Sequence, residues 1–77
     1  MRKRVGAVNF PRWHDSKGEP LACVEKIKLL NENLEEIREL SQEAFEDGLL
    51  MGCDETQLRE TLAALVAKLE NPYRRKS

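Results

Sequence analysis

LACVEKIKLLNENLEEIRELSQEAFEDGLLM, residues 21–51, decides the fold. Apolar side chains fall at Val24, Ile27, Leu30, Leu34, Ile37, Leu40, Ala44, Phe45 and Met51. The spacings are mostly three and four, which line one face of a helix. Proline is missing from the run, and Glu, Lys, Arg and Gln, all good helix formers, fill most of the gaps. The stretch predicts one long amphipathic helix over residues 20–51. At ~1.5 Å per residue that is a rod of roughly 45 Å.

Outward from this rod, the stop is marked by Gly52, which can take the left-handed conformation that closes a helix. Asp54 follows as a candidate N-cap, with Gln57 three residues on, as in a capping box. Leu58, Leu62, Leu65, Val66 and Leu69 then form a second apolar stripe, and Asn71-Pro72 ends it. The second helix is therefore expected over residues 55–70. A connection as short as Gly52-Cys53-Asp54 predicts an antiparallel hairpin. Gly48 weakens the first helix locally and permits close approach of another element. The fold class is all-α.

The two helices differ in length, so the second can cover only the latter half of the first. Val24, Ile27, Leu30 and Leu34 would stay uncovered, and an uncovered apolar stripe marks a binding surface. A hairpin of ~50 residues is also too small to bury a full core alone. The expectation is a homodimer in which two hairpins form a four-helix bundle, with those four residues at the interface. The competing arrangement has residues 1–20 folding back over the same stripe within one chain.

Three segments are expected: a basic flexible arm over 1–19, a helical hairpin domain over 20–71, and a basic tail over 72–77. The net charge of −1 conceals the contrast between them. Residues 1–20 carry five cations against two anions, residues 21–70 carry five against twelve, and the last seven carry three cations. An acidic helical body thus has a basic segment at each end. Pro11, Gly18 and Pro20 break any helix in the arm, and Phe10 and Trp13 are its only large apolar side chains. Trp13 is the arm's best candidate for burial. No apolar run is long enough for a membrane span or a secretory signal, so the expectation is a cytoplasmic protein without membrane contact. Cys23 and Cys53 would lie ~45 Å apart along the rod, too far for a disulfide within one chain though not between antiparallel chains, and reduced thiols are expected.

Catalysis finds little support. His14 is the single histidine and lies in the arm, with no cysteine near it in sequence. A nucleophile, a base and an orienting group are not brought together, and no Gly-rich phosphate loop is present. Glu32, Glu36, Glu39 and Glu43 share helical spacing, but a di-iron bundle would add inward Glu-x-x-His pairs that this chain lacks. Cys23, Cys53 and His14 lack the paired spacing of a zinc site. No enzyme activity, metal or cofactor is expected.

Leu21-Ala22-Cys23-Val24-Glu25 resembles the L-x-C-x-E peptide that binds retinoblastoma-type pocket proteins. The resemblance covers five residues, three of them specified, and that peptide binds extended, whereas this stretch opens the long helix. Nothing is carried over from it.

The reading that remains is a small interaction or regulatory protein, binding a protein partner through a helical dimer surface. Arg2, Lys3, Arg4, Phe10, Arg12, Trp13, Arg74, Arg75 and Lys76 are candidate contacts for that partner. The alternative is a nucleic-acid-binding accessory protein, since cations interleaved with aromatics can contact phosphates and stack on bases. A third reading is a purely structural module whose whole role is self-association.

Overall fold

A computed structural model describes residues 10–74. Helix α1 runs Val24–Leu50 over 27 residues, and helix α2 runs Glu55–Ala67 over 13. The only extended pairing among the described residues is a single bridge between His14 and Pro20. The all-α expectation therefore holds, with shorter helices than the sequence implied. The described residues fall into two compact units that divide after Glu39.

The first unit holds a turn and the opening half of α1. Asp15 organises the turn: its Oδ1 accepts from the backbone N–H of Lys17 and of Glu19, both at 2.9 Å. Gly18 takes a φ of +86°, a conformation that costs an L side chain energy and glycine almost none. The backbone N–H of Asp15 donates to the Glu19 carbonyl and that of Leu21 to the Trp13 carbonyl. These bonds correct the expected start of the helix. Pro20 and Leu21 are held in the turn by residues 13–14, and the first bond into α1 is Ile27 N–H to the Cys23 carbonyl at 3.1 Å. Part of the segment expected as a flexible arm is thus a hydrogen-bonded turn.

The second unit holds the rest of α1, the connection and α2. Met51 and Gly52 close α1, with Gly52 at φ +93°. Asp54 caps α2 by accepting from the Gln57 N–H at 2.9 Å, as its spacing predicts. Gly48 is the one buried residue of α1. A Cβ on it would meet the Leu58 methyl groups at 2.7 and 2.8 Å, so the Leu58 side chain rests against bare backbone. Along the same interface, the Arg59 guanidinium lies 4.6 Å from the centroid of the Phe45 ring. These two contacts pair an earlier α1 residue with a later α2 residue, the order of antiparallel helices. The Lys68 N–H reaches the Ala64 carbonyl and the Leu69 N–H only the Val66 carbonyl, so the last turn tightens and α2 stops three residues before the expected end.

Gly48 offers a clean test of this packing. Gly48→Ala gains roughly 1 kcal/mol of helix propensity, but its Cβ would sit within 3.0 Å of both Leu58 methyl groups and displace them, so the two effects offset and the thermal midpoint should stay near that of the parent. Gly48→Leu should lower the midpoint, because overpacking costs roughly 1–3 kcal/mol. Thermal unfolding followed by circular dichroism reads both.

Candidate functional site

The amphipathic pattern of α1 places large apolar residues on two sides of the helix, and the structure treats those sides differently. Ile27, Leu34, Phe45 and Gly48 are at least half-buried. Ile37, Leu40, Ala44 and Met51 are exposed. No large apolar residue among the described ones is fully buried. On α2, Leu58 and Leu62 are half-buried, while Leu65 and Val66, and Leu69 just beyond its end, continue the stripe in the open.

The expected interface residues divide in the same way. Val24 is 77% exposed, whereas Ile27, Leu30 and Leu34 are half-buried. The indole N–H of Trp13 donates to Asn31 Oδ1 at 2.8 Å. Asn31 lies four residues after Ile27 and three before Leu34, so it neighbours both on the helix surface. The turn is therefore tied to the helix at a residue flanked by part of the stripe that the length mismatch left open. Periodicity alone gave no sign of Asn31, which reads there as a polar gap. The available signal was a lone tryptophan in a polar segment, whose N–H needs an acceptor once the ring is packed.

The remaining candidates are scattered. Arg12 and Arg74 are exposed, Phe10 is half-buried, and Arg2, Lys3, Arg4, Arg75 and Lys76 lie outside the described residues. In the tail, Asn71 Oδ1 accepts from the Tyr73 N–H at 2.8 Å, a local turn that carries Arg74. His14 Nδ1 lies 3.3 Å from the Asp15 carbonyl oxygen, a backbone partner. Cys23 and Cys53 are exposed free thiols. Leu21–Cys23 precede α1 and Val24–Glu25 open it, so the L-x-C-x-E match straddles the helix start.

Charge on the helices is largely organised locally. Arg38 bonds Glu35 at 2.9 Å, Gln42 bonds Glu46 at 2.8 Å, and Arg59 bonds Glu55 at 3.0 Å. All are three or four residues apart, where each pair contributes a few tenths of a kcal/mol, about 0.2–0.5. Among the described residues no group of three or more His, Cys, Asp or Glu side chains could hold a metal ion, and no helix is long and apolar enough to cross a membrane. No known protein family matches the chain, and no characterised protein or solved structure is significantly similar to it.

The molecule has one tryptophan, so the Trp13–Asn31 bond can be followed directly. Asn31→Ala should red-shift the emission and raise its quenching by acrylamide, with a stability loss of about 1 kcal/mol for the orphaned indole N–H. Unchanged emission would mean that Asn31 does not hold the ring.

Proposed function

We propose that this chain is a non-catalytic protein-interaction module that acts through its helical surface, with two copies pairing through Val24, Ile27, Leu30 and Leu34. The observation that carries the reading is the row of large apolar side chains left in water along both helices. Of the pairing residues Val24 is 77% exposed, and apolar surface gathered on one helix face is characteristic of an interface. The small size supports it too, since ~50 helical residues rarely bury enough to stand alone. His14 and the two thiols sit on separate elements, which favours an interaction role over catalysis.

Pairing and partner binding are parts of one reading. Beside the turn at residues 13–21 Val24 stays exposed and Leu30 half-buried, so two copies can complete each other's cover at the start of α1. A cytoplasmic setting suits the two exposed thiols. The nucleic-acid alternative rests on the cations Arg2, Lys3, Arg4, Arg12, Arg74, Arg75 and Lys76 with the aromatics Phe10 and Trp13. Trp13, its best stacking residue, is half-buried and spends its N–H on Asn31. Protein recognition is therefore preferred.

Sedimentation equilibrium in reductant tests the pairing. The parent should sediment at twice the chain mass, and Leu30→Asp should return it to a single chain while keeping most of its helicity. A parent that stays at one chain mass at every loading concentration would overturn the pairing.

A further inference from the structure

Leu40, Ala44 and Asp47 of α1, and Met51, which continues the helical pattern by donating its N–H to the Asp47 carbonyl at 3.0 Å, follow one another at spacings of four, three and four, which puts them on one face. All four are exposed, Leu40 at 69% and Met51 at 78%. The face is distinct from the one carrying Phe45 and Gly48, on which Arg59 and Leu58 of α2 already sit. Its middle is low, because Ala44 projects little, and helix axes approach more closely where the side chains between them are small. Its length, from Leu40 to Met51, is three turns. That is the footprint of a helix laid along a helix, anchored at one apolar residue near each end.

The charge on this face selects among occupants. Residues 40–51 carry Glu43, Glu46 and Asp47 and no cation. Asp47 is the telling member, because it stands within the apolar row and not beside it. Two copies meeting on this face would bring Asp47 against its own counterpart in a parallel pair or against Ala44 in an antiparallel one, and neither offers it a cation. Like charges set together across an interface cost affinity, and a carboxylate buried without a partner costs more. A helix with a lysine or arginine in its own apolar row removes that cost, since the cation pairs with Asp47 while the flanking apolar residues cover Leu40 and Met51.

We infer that the Leu40–Ala44–Asp47–Met51 face docks a basic amphipathic helix of another protein, with a cation set against Asp47. The inference rests on the reading of the chain as an interaction module, but not on self-association. It names the class of partner and places it on the second half of α1, away from the residues proposed for pairing.

The test uses the full chain and a labelled synthetic helix of about 18 residues, ~27 Å long, with a leucine stripe flanked by lysines. Two companions are made: the same stripe flanked by glutamates, and a scrambled sequence of the lysine composition. Fluorescence anisotropy should show the lysine-flanked helix binding at least tenfold more tightly than either companion. Leu40→Ser and Asp47→Lys should each weaken it about tenfold without loss of helicity, since both positions are exposed. Asp47→Lys should also make the glutamate-flanked helix the better ligand. Glu60→Lys, an equal charge change on α2, should leave binding within about twofold.

Equal binding of the scrambled peptide, or an equal effect of Glu60→Lys, would reduce the interaction to bulk charge and overturn the proposal. So would a dimer that Leu40→Ser dissociates, which makes a second copy the occupant. Tighter peptide binding after substituting Arg2, Lys3 and Arg4 together by Glu would assign the face to the chain's own basic start, with the same consequence. A monomer that binds the lysine-flanked helix would refute the pairing proposed above and leave this inference standing. A dimer that ignores the peptide would do the reverse.

Discussion

Leu58 lies on the backbone of Gly48, and the position of α2 depends on that contact. Glycine inside a helix ordinarily costs about 1 kcal/mol relative to alanine. Here the missing side chain is filled by a leucine from the next element, whose burial returns a comparable amount. The neighbouring features act on the same joint. Gly52 turns the chain at φ +93°, and Asp54 satisfies the Gln57 N–H at the start of α2. A turn and a cap can start a second helix, but neither can say which face of it meets the first. The Gly48–Leu58 pair does that, and Arg59 over Phe45 continues the interface one step along.

The end of α1 and the start of α2 were legible because their causes are local. A glycine that can adopt positive φ and an aspartate three residues before a free N–H specify the turn without help from the rest of the chain. The start of α1 was misread for the complementary reason. Pro20 with Glu19 before it satisfies every local rule for a first turn, yet Leu21 donates to the carbonyl of Trp13, eight residues back. A bond of that reach overrides a local preference and leaves no mark in periodicity. Asn31 escaped notice in the same way, since its role is defined by Trp13 and not by its neighbours on the helix. The end of α2 was overestimated because the expectation waited for Pro72, whereas the final turn tightens as soon as Lys68.

The apolar stripe was legible as a stripe but not as two faces. Val24 to Met51 spreads over an arc wider than one neighbour can cover, and hydrophobic spacing does not record which part of the arc a neighbour takes. Length mismatch placed the uncovered surface in the first half of α1. The structure moves part of that reasoning. The turn ties Trp13 to Asn31, a neighbour of Ile27 and Leu34 on the helix, while Leu40 and Met51, in the unit that also holds α2, remain open. An α2 of 13 residues covers one side of its neighbour and leaves the adjoining side in water.

The division of labour on that open side follows from magnitudes. An exposed ion pair contributes at most about 1 kcal/mol, whereas covering a leucine and a methionine contributes about 1.5–3 kcal/mol each. Apolar burial therefore supplies most of the attraction, and it would accept almost any apolar helix. Asp47 adds little to affinity with the right occupant but penalises a wrong one, because covering the row with an apolar or acidic partner strands a carboxylate away from water. A single aspartate at the centre of an apolar face is thus a filter on identity. The same face also links binding to folding: with no large side chain fully buried among the described residues, any helix that covers Leu40 and Met51 adds its binding free energy to the stability of the helices it covers.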